Sequence, residues 1–359
     1  MAAALRTEGH EVSFVGTPGG LEARLVPEAG IEFHALPARG IDRSRPWTAV
    51  SAVATTASST FKARRLIKEL GVDVVVCFGA YVTLPVGLAA DLTRRPLVIH
   101  EQNSVPGLAN RVMSYWAERI GVTNPESANH LHGRDRVVIT GNPVRPEVLA
   151  STRETGRDML GLEQGATVLL VFGGSRGARH LNEAVVGLYP ELMRIAGMHV
   201  VHVAGRAEAP SVREALASVA GGPTPRYNVL DYLDDMGAAI AAADLVVARA
   251  GATSIAEITA LGRPAVLVPY PYATDDHQTR NARGVVEAGA GVLVADADLD
   301  GPGFAEAVIG LLTDRERRQA MAQASRLLGR PDAAARVARL ATEAVEGAEP
   351  SRRRRKGNG

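Results

Sequence analysis

Cysteine is nearly absent from the 359-residue chain: Cys77 is the only one. That excludes an intrachain disulfide and fits a reducing compartment. Aromatic residues are scarce at 4%, while hydrophobic residues reach 46%, so a large aliphatic core is expected, enough for about two domains. No sign of charge prevails: 40 basic residues against 39 acidic ones give a net +1, and no global field argues for nucleic acid as a partner. The opening Met1-Ala-Ala-Ala-Leu5 lacks the basic segment and apolar stretch of a secretory leader and reads as the end of a helix. No uninterrupted apolar run is long enough to span a membrane; residues 74–90 carry no charge, but Gly79, Pro85 and Gly87 divide them into strand, loop and helix. The nine histidines show no zinc spacing, and Asp275-Asp276 has no carboxylate partners nearby, so no metal or other cofactor is expected. A serine elbow and a cysteine with an evident base are missing as well.

What the chain has is a succession of short apolar runs between amphipathic stretches. In the first part they fall at residues 11–15, 72–77, 96–100, 119–122 and 136–140. In the second they fall at 168–172, 199–203, 227–230, 245–248, 265–268 and 291–294. This is the pattern of an α/β protein with two Rossmann-like domains, each a parallel sheet covered by helices. Gly141-Asn-Pro-Val-Arg-Pro146 interrupts any helix and marks the linker. The expected division is residues 1–145, residues 146–327, a closing helix over 328–346 that returns to the first domain, and a disordered basic tail from Gly347, with Arg352-Arg-Arg-Arg-Lys356 within it.

Three segments carry chemistry at strand C-terminal ends, where open α/β sheets bind ligands. In Val168-Leu-Leu-Val-Phe-Gly-Gly-Ser-Arg-Gly-Ala178 an apolar strand runs into Gly173, Gly174, Ser175 and Gly177 and then into a helix, an arrangement suited to a phosphate or to a tight turn. His100-Glu-Gln-Asn103 puts four polar side chains after a wholly apolar strand, which points to a ligand or a polar network. In Ala248-Arg-Ala-Gly-Ala-Thr-Ser-Ile-Ala-Glu257 the carboxylate either accepts both hydroxyls of a ribose or closes a capping box with Ser254, and on these residues alone the cap is the simpler reading. A fourth, polar loop brings His277 and Gln278 within reach of a sugar.

Taken in series, His100-Glu-Gln-Asn103, Gly141-Asn-Pro-Val-Arg145, Gly173-Gly-Ser-Arg-Gly-Ala178, Tyr232-Leu-Asp-Asp-Met236, Arg249-Ala-Gly-Ala-Thr-Ser-Ile-Ala-Glu257 and Asp276-His-Gln-Thr-Arg-Asn-Ala282 resemble the MurG family of N-acetylglucosaminyltransferases. The resemblance runs from about Ala3 to Ala344. It implies a GT-B fold and transfer of N-acetylglucosamine from UDP-GlcNAc to lipid I, with inversion, in peptidoglycan synthesis. It also implies a peripheral position on the cytoplasmic face of the cell membrane. Of the residues, it implies that Asn103, Arg145 and Ser175 meet the donor, that Leu233 lines the uracil pocket, that Ala252, Thr253, Ser254, Ile255, Ala256 and Glu257 form the nucleotide and ribose segment, and that His277 and Gln278 contact the sugar. His100 and Glu101 are expected to support the site. The family opens with a strand and a Gly-Gly-Thr-Gly-Gly-His loop, whose histidine is its candidate base. This sequence aligns from about two-thirds of the way through that element, so Met1 is expected to be a start assigned too late. Cys77-Phe-Gly-Ala-Tyr81 is also poorer in glycine than the family's second acceptor-side loop. Trp47, Phe61, Lys62, Arg64, Arg65 and Lys68, both apolar and basic, form either a surface helix or a contact with anionic lipid.

Overall fold

The computed structural model describes residues 1–38, 48–174 and 178–356, with side chains described from 53 and up to 347 in its first and last long helices. The chain forms two compact units. One comprises Met1–Gly141 with Asp332–Gly359, and the other Asn142–Pro331.

In the first unit, β1 (Ser13–Gly16) pairs in parallel with β2 (Glu32–Ala35), and a separate parallel ladder runs β3 (Val75–Cys77), β4 (Leu97–Glu101), β5 (Arg119–Val122), β6 (Val137–Ile139). β4 is buried along its whole length, as its position between two strands and under helices requires. The helix Thr48–Glu69 turns Ala63 and Ile67 into the core and leaves Val53 and Phe61 largely exposed. The helix Ala333–Lys356 sets Leu340 and Ala344 against Val98 of β4. It continues nine residues past Gly347, where disorder was expected. Ala, Glu and Arg are strong helix formers, and their propensity outlasts the run of like charge.

The second unit is one six-stranded parallel sheet, ordered β12-β11-β10-β7-β8-β9, built from β7 (Thr167–Phe172), β8 (Met198–Val203), β9 (Tyr227–Leu230), β10 (Leu245–Ala248), β11 (Ala265–Leu267) and β12 (Gly291–Leu293). Successive residues of β7 point to opposite faces: Leu169 and Val171 join one core, Val168, Leu170 and Phe172 the other. A strand buried on both faces must be apolar throughout, which is why its sequence shows no alternation. β7 and β10 lie side by side, yet the chain leaves them toward opposite edges of the sheet. Such a reversal of strand order opens a crevice beyond the C-terminal ends of the two strands.

Candidate functional site

The loops at that crevice are built for close approach. After β7, Gly174 has φ +78°, and a Cβ on Gly173 would collide with Ala178, so neither position accepts a side chain without rearrangement. Ser175 and Gly177 lie outside the described residues. The following helix, Arg179–Gly187, begins without a side-chain cap. Its first amides therefore suit an anion.

After β10 the helix Ala252–Ala260 starts directly behind Gly251, again uncapped. Ser254 is thus the third helical residue rather than the N-cap, and the capping-box reading of Ser254 and Glu257 fails: that motif needs the serine one step outside the helix. Glu257 is buried, and burial raises its carboxyl pKa while Arg145 opposes the rise. Arg145 precedes the helix Pro146–Ala150 and brings its guanidinium to 3.8 Å from Glu257 Oε1. Thr253 is exposed; Ala252, Ser254, Ile255 and Ala256 are half-buried on the same helix. Leu233, also half-buried, packs on the core beside Met236, and the next residue but one, Asp235, caps its helix by accepting from Ala238 N at 2.9 Å.

The loop after β11 is strained. Asp275 and Asp276 both sit at left-handed φ, +53° and +50°. Side chains rarely adopt that region, and such strain gathers at ligand sites. It delivers His277 to the start of the helix His277–Glu287, where Nδ1 donates to Thr274 O at 2.7 Å. Gln278 Oε1 accepts from Tyr270 N at 2.9 Å.

A hub that the sequence reading missed binds these loops together. Asp296, just past β12, pairs through Oδ2 with His180 Nδ1 at 2.9 Å and through Oδ1 with the buried Arg249 at 2.5 Å. Arg249 in turn donates to Pro269 O at 3.1 Å. The segments following β7 and β10 thereby share the carboxylate that follows β12, and Arg249 extends the network to the segment after β11. Burial alone would raise the Asp296 pKa, but the hydrogen bonds from His180 and Arg249 outweigh it and the value falls. His180 rises, chiefly through Asp296 and further through Asp300. The only signal in the sequence was a charged residue placed directly after a fully buried strand.

In the first unit, His100 is wholly buried at the end of β4, its Nε2 donating to Gly141 O at 2.9 Å and lying 3.2 Å from Thr140 Oγ1. Burial pushes its pKa down to about 4. Glu101 is fully engaged: Oε1 accepts from Asn103 N at 3.0 Å, Oε2 from Gly107 N at 3.1 Å and Asn110 Nδ2 at 2.8 Å. Glu101 thus braces the loop that carries Asn103, whose carbonyl accepts from Ser127 Oγ at 2.8 Å, while His100 ties the end of β4 to Gly141. Among the described residues no group of three or more His, Cys, Asp or Glu is arranged to hold a metal ion.

Comparison with known proteins accounts for almost all of the chain. Residues 168–337 match the glycosyltransferase family 28 C-terminal domain, and residues 1–122 match its N-terminal domain. A UDP-N-acetylglucosamine–N-acetylmuramyl-(pentapeptide) pyrophosphoryl-undecaprenol N-acetylglucosamine transferase of Halothermothrix orenii is 38% identical over 97% of this chain and 95% of its own. The protein of the same description from Desulforudis audaxviator is 43% identical over 90% and 87%. Among solved structures, Acinetobacter baumannii MurG superposes with a TM-score of 0.74 at 29% identity, covering 95% of this chain and 94% of that one. A UDP-GlcNAc 2-epimerase of Neisseria meningitidis reaches 0.67 at 14% identity over 96% of each, which speaks for a common fold alone.

Proposed function

The chain belongs to glycosyltransferase family 28, both of whose domains it carries, and from that premise we propose that it transfers N-acetylglucosamine from UDP-N-acetylglucosamine to undecaprenyl-diphosphate-linked muramyl-pentapeptide. The observation that carries this reading is similarity along nearly the whole chain to relatives described as that transferase. The donor lies at the crevice of the second unit. Its diphosphate meets the uncapped amides of the helix Arg179–Gly187 and the Arg145 guanidinium, and its ribose hydroxyls donate to Glu257. Leu233 lies against the uracil, while Gln278 and His277 contact the sugar. Asp296 positions these loops through His180 and Arg249 and touches no substrate.

The reaction is a displacement at the anomeric carbon. The acceptor hydroxyl oxygen forms the new bond to that carbon. The bond to the diphosphate oxygen breaks with its electron pair leaving on UDP, and a general base takes the hydroxyl proton. Charge therefore develops on the diphosphate, where fixed dipoles and a guanidinium stabilise the transition state more than the ground state. His100 is unsuited to be the base, because its Nε2 is committed to Gly141 O and its site favours the neutral form down to about pH 4.

No helix among the described residues is long and apolar enough to cross a membrane. A lipid-linked acceptor instead places the protein against the cytoplasmic membrane face. The helix Thr48–Glu69, with Phe61 exposed beside Lys62, Arg64, Arg65 and Lys68, makes the contact; Trp47 lies outside the described residues. The test of the whole reading is transfer of label from UDP-[¹⁴C]GlcNAc to a lipid I analogue, with one UDP released per disaccharide formed. Donor bound without label in the lipid would leave a nucleotide-sugar binding protein, and a C2 epimer formed without acceptor would make the chain an epimerase.

A further inference from the structure

At the opposite, N-terminal edge of the second unit's sheet lies a cavity of about 530 Å³, lined by Arg153, Arg263, Arg315, Arg318 and Arg326 with Asp244 as its only acidic residue. It opens where β7, β10 and β11 begin, whereas the crevice described above opens where they end. Strands of this length hold the two openings roughly 10–20 Å apart.

The single carboxylate is already used. Asp244 Oδ1 accepts from Arg153 at 2.7 Å, and Oδ2 accepts from the buried Arg157 at 2.9 Å and from Val168 N at 2.8 Å. Among the described residues, the guanidinium groups of Arg263, Arg315, Arg318 and Arg326 around the cavity have no carboxylate at ion-pair distance. Arg318 donates to the Leu311 and Leu312 carbonyls and Arg263 to Ala243 O at 3.1 Å, while the buried Arg263 Nε has no partner among the described residues. No described residue bonds the side chains of Arg315 and Arg326, which lie on one helix, Arg315–Leu328. Nearby acids are engaged elsewhere: Asp314 caps that helix at Arg317 N, 2.9 Å away, and Asp158 accepts from Gln164 at 2.8 Å. The crowding has an electrostatic consequence. Burial, with Arg153, Arg326 and Arg157 adding like charge, pushes Arg263 down to about 10.

Arginines gathered this closely in a concave site repel one another unless an anion lies between them, and their planar donors match phosphate oxygens in pairs. We propose that this cavity is a second anion site, taking a phosphate-bearing group of at least two negative charges, distinct from the crevice that takes the nucleotide sugar. Gln319 lines it as well and supplies an amide donor. The volume is ample for a diphosphate with part of the molecule that bears it.

The test uses the full chain saturated with UDP, so that the first site is filled. Calorimetric titrations with inorganic pyrophosphate and with glycerol 3-phosphate, the water-soluble headgroup of phosphatidate, separate a free phosphate from a lipid headgroup as the source. The expected result is saturable binding of one probe, weakened at least about tenfold by the double substitution Arg315→Ala/Arg326→Ala, as loss of paired charged hydrogen bonds requires. Gln319→Glu, which adds a negative charge to the lining and removes no arginine, should weaken it likewise. UDP affinity should stay unchanged in both variants, showing that the fold is intact. Absence of binding by either probe, or binding that tolerates both variants, would overturn the proposal.

Discussion

The guanidinium of Arg145 stands 3.8 Å from the carboxylate of Glu257, the one 61% exposed and the other only 11%. An exposed cation thus holds a buried carboxylate toward its charged form, the form that accepts two hydroxyl hydrogen bonds. Glu257→Gln should weaken UDP binding by about tenfold to a hundredfold, the usual worth of hydrogen bonds to a charged acceptor. Unchanged affinity would remove Glu257 from the ribose site.

Arg145→Ala should lower kcat more than it raises KM, because its charge meets the leaving group as the bond breaks. It should also move the acid limb of UDP binding to higher pH: without the arginine, the burial that raises Glu257 goes unopposed, and protonation sets in earlier. A pH profile identical to that of the unsubstituted protein would show that the two charges are not coupled.

Asp296→Asn should cost roughly 2 kcal/mol of stability, since it leaves the buried Arg249 without its counter-charge, and should raise KM for the donor. The pH dependence follows from the two shifts. His180 is raised, so its contribution is full below its ordinary value of 6.5 and is lost as pH climbs through the elevated one. Asp296 is lowered, so its contribution holds above 3.8 and is lost as pH falls through the depressed value. Denaturant titrations of the variant should lack the acid limb and show a shallower alkaline one, since Asp300 still faces His180.

His202 is also buried, and burial lowers its pKa to about 4. Its Nε2 donates to Asn182 Oδ1 at 3.0 Å and its Nδ1 accepts from Tyr227 Oη at 2.9 Å, a network closed only for the neutral ring. The unfolded chain therefore binds more protons than the folded one between pH 6.5 and about 4, at both His202 and His100. Stability should fall across that window as pH is lowered, by a limit on the order of 3 kcal/mol per histidine. His202→Gln should shallow the slope in a urea titration series.

Gly173→Ala should abolish donor binding while leaving most of the stability in place. The added methyl collides with Ala178 at the mouth of the anion loop, one residue past the last paired position of β7, Phe172, so the strand ladder itself is kept. Retained UDP affinity would mean that the loop can shift without loss of the site.

Much of the fold could be read in the sequence because parallel strands buried on both faces cannot carry polar residues; β7 and β10 stand out as bare apolar runs. β2 escaped notice for the opposite reason. Glu32 and His34 leave it half polar, among the described residues it pairs only with β1, and its clearest tie is the stacking of Phe33 on Phe14 with ring centroids 6.4 Å apart. Single-chain motifs marked Gly173, Glu257 and His277, since glycine loops and helix starts are local. The Asp296 hub was illegible because its partners, His180 and Arg249, come from distant segments that meet only once the sheet has ordered them. The long final helix was cut short in the reading by giving a run of arginines more weight than the helix propensity around it.

The most direct measurement is a crystal structure of the chain with UDP-N-acetylglucosamine bound. The expected density places ribose hydroxyls on Glu257 and the diphosphate between Arg145 and the first amides of the helix Arg179–Gly187. A nucleotide seated elsewhere, with Glu257 still paired to Arg145 and no ligand oxygen near either, would contradict it.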